Sequence, residues 1–354
     1  MYEKDGSPLN SRKRFLSACN GQSTNPTPIW FMRQAGRIFS EYREIREEHS
    51  FLEVCQNPEL NSRVTCMPVE KLDVDAAILF ADIMLPLSTM NVEFDLVKGK
   101  GPVIEKPVRD REDIERIQVG KPEPELSFLS SVIPRVIEDL PEDKPLVGFA
   151  GAPFTLACYL VEGESSRTFF TAKKFMLTKS KLWHQLMERL AETLINYIRY
   201  QVDQGIEVFQ LFDSWAGGLS THHYKHYVMP HVKSIFNGLS DIDCPMIHFG
   251  TNTAGLLPLM DRAGGTVQGV DWTIDLGQAH RRIDSNKPLQ GNLDPALLCS
   301  EFDNIREDVD HVLDEASTVP GHIFNLGHGL LPDTRMDTLK TVISYVRDRT
   351  AKSE

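Results

Sequence analysis

Short apolar runs recur along the chain, and each ends in a polar or glycine-rich turn. Several runs are apolar without alternation, as expected of strands that are covered on both faces of a sheet. Their positions predict about eight strands, at residues 28–32, 76–80, 146–149, 208–212, 246–249, 267–270, 289–290 and 323–326.

Segments with helical periodicity separate these runs. Residues 305–313 and 336–346 have this periodicity, and residues 183–200 place four apolar side chains on one helical face: Leu186, Leu190, Leu194 and Ile198. Alternating strands and helices imply parallel strands joined by crossover helices. About eight strands favour a closed (β/α)8 barrel, a TIM barrel of the α/β class; an open doubly wound sheet is the alternative.

The length of 354 residues fits a single barrel domain. An N-terminal extension of about residues 1–27 precedes the first predicted strand. Residues 83–145 form a long excursion after the second strand, with their own turn at Gly99-Lys100-Gly101-Pro102.

Composition narrows the classes of function. The formal net charge of -12 argues against non-specific nucleic-acid binding. No apolar stretch is long enough to cross a bilayer, and the polar N-terminus lacks the apolar core of a signal peptide. The six cysteines are scattered without a Cys-x-x-Cys pair, as expected of reduced thiols in a cytoplasmic protein.

A cluster of arginines stands out against this acidic background. The first apolar run ends in Arg33 and Arg37, and Arg43 and Arg46 follow. Arginine presents a planar, permanently charged fork that binds carboxylate or phosphate bidentately. The alternative is a helix end that carries surface arginines.

Catalytic side chains of barrel enzymes follow the C-terminal ends of the strands. The residues after each run therefore predict a ring of candidates: Arg33, Gln34, Arg37, Asp82, Tyr159, Asp213, Ser214, His248, Asp271, Asn292, Asp294 and His328, together with the segment Gly151-Ala-Pro-Phe-Thr155.

Several of these segments resemble the uroporphyrinogen decarboxylase family. They are Met32-Arg-Gln-Ala-Gly-Arg37, Asp75-Ala-Ala-Ile-Leu-Phe-Ala-Asp-Ile83, Gly148-Phe-Ala-Gly-Ala-Pro-Phe-Thr155, Gln210-Leu-Phe-Asp-Ser-Trp-Ala-Gly217, Gly269-Val-Asp-Trp272, Gln290-Gly-Asn-Leu-Asp-Pro295 and Asn325-Leu-Gly-His-Gly329, in family order over roughly residues 10–348. The resemblance implies a (β/α)8 barrel, a homodimer, and no metal or organic cofactor. It also implies conversion of uroporphyrinogen III to coproporphyrinogen III in haem biosynthesis, by removal of four acetate carboxylates.

The resemblance assigns roles to individual residues. Asp82 stabilises a pyrrolic cation, Tyr159 orients Asp82 or a substrate carboxylate, and Arg33 assists proton delivery. Substrate contacts are expected from Arg33, Gln34, Ala35, Arg37, Arg46, Asp82, Tyr159, Phe212, Ser214 and His328, with Gln34 and Ala35 offering backbone N–H groups. Simpler roles remain open for five of these residues: a helix cap for Asp82 and Ser214, core packing for Tyr159 and Phe212, and a solvated charge for Arg46.

The sequence departs from the family pattern at one position beside the arginines. Ile38 stands where the family motif usually has tyrosine, which could alter packing next to the site without removing the charged residues. The pair Ser214-Trp215 matches a common bacterial version of its segment.

Two rival functions are considered. A zinc-dependent corrinoid methyltransferase of the same superfamily needs a His-x-Cys near the fifth strand, where this chain has His248-Phe249-Gly250, and a Cys near His328. His222 and His226 have the spacing of a helical metal pair beside His223 and His231, but no third ligand is evident. A non-catalytic tetrapyrrole-binding protein is the second rival.

Overall fold

Parallel strands in chain order form the framework of the molecule. The computed structural model describes residues 9–97 and 101–351. The strands among these residues are β1 (Ala77–Ile78), β2 (Phe94–Val97), β3 (Gly101–Ile104), β4 (Leu146–Gly151), β5 (Val208–Phe212), β6 (Met246–Phe249), β7 (Val267–Gly269), β8 (Leu289–Leu293) and β9 (His322–Leu326). Seven of them form one parallel sheet in the order β1-β4-β5-β6-β7-β8-β9, and β2 and β3 form an antiparallel pair.

Helices follow most of the strands, as the alternating pattern predicts. They are α1 (Ser11–Cys19), α2 (Ser40–Glu48), α3 (Phe51–Gln56), α4 (Pro58–Leu72), α5 (Leu85–Ser88), α6 (Arg111–Arg116), α7 (Leu129–Asp139), α8 (Pro153–Glu162), α9 (Phe170–Thr178), α10 (Ser180–Asp203), α11 (Thr221–Tyr227), α12 (Met229–Gly238), α13 (Leu257–Ala263), α14 (Leu276–Arg282), α15 (Arg306–Ala316) and α16 (Met336–Thr350). The three periodic segments lie in α10, α15 and α16. None of the helices in the described ranges is long and apolar enough to cross a membrane.

The predicted strand at residues 28–32 differs from the other seven. It forms a single parallel bridge, between Ile29 and Phe324 of β9, rather than a strand. The Phe324 N–H donates to Pro28 O at 2.9 Å, and the Asp75 N–H, just before β1, donates to Ile29 O at 2.7 Å. The structure therefore establishes a seven-stranded parallel sheet, and the first of the eight predicted strands forms one bridge in place of a regular strand. The sheet also lacks the reversal of strand order that defines a doubly wound fold.

A buried chain of side chains connects this segment to the sheet. Trp30 Nε1 donates to Gln290 Oε1 at 2.9 Å, and Gln290 Nε2 donates to Gln210 Oε1 at 2.9 Å. Gln210 Nε2 lies 3.1 Å from the Met32 sulfur. Since all four side chains are buried, these bonds fix residues 30–32 against β5 and β8 without exposed charge.

The N-terminal extension and the excursion both pack on the same core. Phe15 and Ala18 of α1 belong to one contiguous cluster of buried apolar residues. The excursion contains α5, the β2–β3 hairpin, α6 and α7, and the Ile104 N–H of the hairpin donates to Gly163 O at 2.7 Å after α8. Residues 99 and 100 of the predicted turn lie outside the described residues, and Gly101 and Pro102 begin β3.

Candidate active site

A cavity of about 610 Å³ opens at the C-terminal ends of β1, β4, β5 and β6. Its wall includes every predicted substrate-binding residue except Gln34: Arg33, Ala35, Arg37, Arg46, Asp82, Tyr159, Phe212, Ser214 and His328. These residues come from distant parts of the sequence, and the parallel sheet brings the ends of their strands to one edge.

Gln34 was predicted to contact the substrate, but it does not line the cavity. It is fully buried, its amide accepts the Phe31 N–H at 3.0 Å, and it donates to Ala76 O at 2.8 Å. Its own backbone N–H already donates to Phe31 O at 3.1 Å. Gln34 therefore ties the arginine segment to the start of β1, and its N–H is not available to a ligand.

The structure also places two residues of the predicted ring on the far side of the sheet. Phe212 and Phe249 line the cavity, so the neighbouring Asp213 and His248 point the other way, because side chains alternate along a strand. His248 Nε2 lies 3.5 Å from Asp213 Oδ2, and Phe236 of α12 packs against the His248 ring.

Three further members of the ring brace loops instead of lining the cavity. Asp271 is buried and accepts N–H groups from Thr253 at 3.2 Å and Thr273 at 2.8 Å. Asn292 donates to Asp271 O at 2.9 Å. Asp294 accepts the Ala296 N–H at 2.9 Å as the cap of a short helical turn. Hydrogen bonds of this kind hold the loops after β6, β7 and β8 in one arrangement.

The charges on the cavity wall oppose the net charge of the protein. Among the described residues of the wall, Arg33, Arg37 and Arg46 are cationic and Asp82 is the one carboxylate. Within the described ranges, the guanidinium groups of Arg33 and Arg37 form no ion pair with a carboxylate. A polyanionic ligand would therefore meet unpaired cations in this cleft.

Arg33 has an unusual backbone and an unusual environment. Its φ of 61° lies in the left-handed region that non-glycine residues seldom adopt. Its side chain is exposed into the cavity, but the protein around it lowers its pKa by desolvation, while Tyr159 and Asp82 raise the pKa by favouring the charged form. The pKa of His328 is lowered by burial and also by the charge of Arg33, because a nearby cation disfavours an imidazolium.

Asp82, which is half-buried, carries the negative charge on the described part of the cavity wall. Burial raises the pKa of Asp82, whereas the Met84 N–H, 2.8 Å from Oδ1, and the charge of Arg33 lower it. The Met84 bond closes a local turn after β1 and is not a helix cap, because α5 begins at Leu85 with Met84 as its N-cap and without a capping side chain. No other described side chain donates a hydrogen bond to Oδ2 of Asp82.

Tyr159 faces the cavity from the second turn of α8. Burial raises its pKa to about 12, with the Asp82 charge as the next cause, so the hydroxyl stays protonated and can donate. Its ring lies 4.3 Å from that of Trp215, which also contacts Phe169 with centroids 4.7 Å apart. This stack holds the Tyr159 ring and the Ser214-Trp215 loop together.

Aromatic side chains form the apolar part of the wall. Phe149, Phe212 and Phe249 pack edge to face, with centroids 5.7 and 5.9 Å apart. Such a surface suits the face of a large conjugated or heteroaromatic ring. Only Phe212 was predicted; Phe249 is its register partner on β6, so its place at the same strand end was the available signal.

Arg46 is held by an aromatic neighbour. Its guanidinium lies 5.8 Å from the Phe51 ring centroid and donates to His49 O. Tyr42 lies four residues earlier on α2 and also lines the cavity. The sequence reasoning missed Tyr42 and Phe51, although the spacing of Tyr42 and Arg46 on one helix indicated a shared face.

Relatives of this chain identify its family. A family model described as "Uroporphyrinogen decarboxylase (URO-D)" matches residues 10–349. The uroporphyrinogen decarboxylase of Sorangium cellulosum is 48% identical over 94% of this chain and 95% of that protein. The one from Thermus thermophilus is 46% identical over 94% of this chain and 97% of that protein. The chain belongs to the uroporphyrinogen decarboxylase family.

The fold itself is shared more widely than this family. A methyltransferase from Methanosarcina mazei superposes with a TM-score of 0.78 at 19% identity, covering 96% of this chain and 99% of that one. At this identity the likeness establishes the fold alone.

The side chains of this member do not suit a methyltransferase zinc site. His248 faces Asp213 and not the cavity, and a Cβ at Gly250 would lie 2.9 Å from Asp213 O, so a cysteine there needs a backbone shift. His222 and His226 have ring centroids 4.5 Å apart, yet no group of three or more potential metal ligands occurs in the part of the chain that the structure describes. Zinc prefers four ligands including thiolates in such sites.

Ile38, where the uroporphyrinogen decarboxylase family usually has tyrosine, lines the cavity and packs against the core. The substitution removes a hydroxyl from this part of the wall but leaves Arg33 and Arg37 in place.

Proposed function

We propose that the cavity binds uroporphyrinogen III and decarboxylates its four acetate groups with the side chains described above, yielding coproporphyrinogen III. The observation that carries the proposal is the arrangement of charge: an acidic protein lines one cavity with Arg33, Arg37 and Arg46 around a single carboxylate, Asp82, beside an aromatic surface. A macrocycle with eight carboxylates and central N–H groups is complementary to that arrangement.

The chemistry of each step places two demands on the protein. A proton is added to a pyrrole carbon, and the resulting cationic ring accepts the electron pair of the C–C bond as carbon dioxide leaves. The exocyclic methylene then takes a proton to become methyl, and the ring loses the first one. Each acetate therefore consumes one proton net, and the pyrrole serves as the electron sink that other decarboxylases obtain from a cofactor. The protein must stabilise the cation and supply protons.

Asp82 stabilises the cation in this mechanism. Its Oδ1 is held by the Met84 N–H, and Oδ2 accepts pyrrole N–H groups while its charge opposes the positive ring. Since the carboxylate is already fixed and partly desolvated, it needs no reorganisation as the cation develops. Tyr159, from the helix after the neighbouring strand β4, supports Asp82 through a hydroxyl that remains protonated.

Arg33 and Arg37 bind substrate carboxylates, with Arg46 nearer the rim and Ser214 and His328 as neutral partners. Arg33 also assists proton delivery. An arginine is a weak acid, because its ordinary pKa exceeds ~12, but desolvation moves the pKa of Arg33 in the favourable direction. Phe212 packs on the macrocycle, and Ala35 offers its backbone N–H.

Residues 28–32 complete the barrel in this proposal. Their hydrogen bonds reach Phe324 of β9 on one side and Asp75, just before β1, on the other, which is the gap that an eighth strand occupies in a closed sheet. Closure would account for the rigid placement of Arg33 directly after this segment. A single domain over the whole chain follows from the same arrangement.

A homodimer and a cytoplasmic location are also part of the proposal. Phe170 and Leu177, seven residues apart on α9, are strongly exposed, and apolar exposure of this kind favours a subunit interface. All six cysteines are unpaired, as in a reducing compartment. Light scattering on the purified protein tests the dimer. No nucleic acid or membrane partner is invoked.

Incubation of the purified protein with uroporphyrinogen III tests the main proposal. Products are oxidised and separated by their number of carboxylates, and we expect the eight-carboxylate species to pass through intermediates to the four-carboxylate product. Binding of the macrocycle without loss of carboxylate would support the non-catalytic binding protein. Methyl transfer dependent on added zinc would support the methyltransferase instead.

A further inference from the structure

Gly329, the residue after His328, lies against the side chain of Arg33. A Cβ atom at Gly329 would lie 2.6 Å from Arg33 Cγ and 3.0 Å from Arg33 Nε, and closer still to Cδ. The three atoms nearest to that Cβ position all belong to Arg33. The Arg33 side chain therefore occupies the space that a side chain at position 329 would need.

Backbone hydrogen bonds hold these two segments in a fixed relation. The Leu330 N–H donates to Met32 O at 2.9 Å, and the Met32 N–H donates to Asn325 Oδ1 at 3.1 Å. Arg33 itself has φ 61°. Because both backbones are fixed, a clash at position 329 is relieved by movement of the Arg33 side chain.

We infer that Gly329 is a positioning residue, whose missing side chain keeps the Arg33 guanidinium in the cavity beside His328. The inference rests on the proposed function for what Arg33 does to the substrate. The effect of Gly329 on Arg33 is independent of that function, and it can be measured in the free protein.

The variant Gly329→Ala tests the inference with little risk to the fold. Gly329 does not have a positive φ, so alanine fits its backbone, and the clashing atoms belong to a flexible side chain. Gly255→Ala is the matched control, since Gly255 is an exposed loop glycine with open space around its Cβ position. We expect both variants to unfold within about 3 °C of the wild type, because neither loses a core contact.

The pKa of His328, followed by NMR on the free protein, reports where Arg33 lies. Burial and the charge of Arg33 lower this pKa, and the backbone bond to Gly329 O raises it. Displacement of Arg33 by Gly329→Ala should therefore raise the pKa of His328, and Arg33→Ala should raise it as well. An added methyl group that left Arg33 in place would increase desolvation and lower it. The double variant should match Arg33→Ala alone, because the alanine has then nothing to displace.

Kinetics give the second readout. A misplaced catalytic group can cost on the order of a hundredfold, so we expect Gly329→Ala to lose tenfold to a hundredfold in kcat/KM and Gly255→Ala to match the wild type. A lower or unchanged pKa of His328 in Gly329→Ala, or effects that add to those of Arg33→Ala, would overturn the inference. A wild-type protein without decarboxylase activity would refute the proposed function, while the NMR comparison would still decide the role of Gly329.

Discussion

Replacement of Asp82 by asparagine isolates the charge that the proposed mechanism needs. The asparagine side chain would keep an oxygen for the Met84 N–H, which now lies 2.8 Å from Asp82 Oδ1, so the turn after β1 should survive. The other carboxylate oxygen becomes an NH₂ group. Pyrrole N–H groups would then face a donor instead of an acceptor, and the developing cation would lose its opposing charge.

The size of the effect follows from the environment of Asp82. Two unit charges about 4 Å apart interact by about 4 kcal/mol at an effective dielectric constant near 20. Asp82 is half-buried and the cavity has an open mouth, so water reduces this to about 3 kcal/mol, or on the order of a hundredfold in kcat. Loss of one preorganised electrostatic partner in other enzymes costs ~10²–10³, in agreement with this value.

Stability should change in the opposite direction to activity. Because burial raises the pKa of Asp82 in the folded state, its ionised form is less favourable in the fold than in the unfolded chain at neutral pH. Asp82→Asn removes that unfavourable charge, and the Tm at neutral pH should not fall. A variant that loses activity because it unfolds would instead show a lower Tm than the wild type.

The assay is single-turnover loss of the first acetate from uroporphyrinogen III, with thermal unfolding measured in parallel. Asp333→Asn is the control. Asp333 is exposed and follows Pro332 of the cavity wall, so this variant removes the same charge near the mouth of the cavity from a side chain outside the wall. We expect near wild-type rates from it. If Asp82→Asn retained more than about a third of the wild-type rate, Asp82 would not stabilise the cation.

Three further predictions concern the arginines, pH and metals. Arg37→Lys keeps the charge but loses the bidentate fork, so kcat/KM should fall by roughly tenfold or more, and Arg37→Ala should fall further; equal rates for lysine and wild type would reduce Arg37 to a generic charge. Asp82 acts when ionised and its pKa is raised above the ordinary 3.8, so kcat/KM should fall as the pH drops through that raised value. Arg33→Gln should move this limb to higher pH, because Arg33 lowers the pKa of Asp82. Activity should survive exhaustive chelation and dialysis; loss to chelator and recovery with zinc would contradict the proposed mechanism.

Strand positions were predictable because each strand is a short apolar run whose two faces are covered. The end of each run then located Arg33, Asp82 and His328, since parallel strands deliver their C-terminal residues to one edge. Residues 28–32 have the same apolar pattern as the strands but form only one bridge in the described structure. The sequence did not predict this difference, because an apolar pattern does not determine how many backbone hydrogen bonds a segment makes with its neighbours.

Side-chain direction was the part that the sequence could not supply. Asp213 follows β5 as Asp82 follows β1, yet one is turned to the helices and the other to the cavity. A one-residue change in where a strand ends reverses the face, because side chains alternate with period two. Gln34, within the arginine motif, lies in a turn, where neither strand nor helix periodicity predicts its direction, and it is a buried tie and not a ligand contact.

Uncharged side chains hold the arginine segment, residues 32–37, against the rest of the fold. Gln34 and Asn325 hold the segment through side-chain amide groups. The carboxylate that accepts the Ile29 N–H, Asp75, forms ion pairs with Arg14 and Arg347 and not with the arginines of the cavity. Carboxylate ties in the same places would pair with Arg33 and Arg37, since a charged acceptor binds a guanidinium more strongly than an amide does. Neutral ties fix the backbone and leave the positive charge for the ligand. The net charge of -12 of the whole protein is compatible with polyanion binding for this reason, because surface charges more than about 8 Å from the cavity are largely screened at physiological salt.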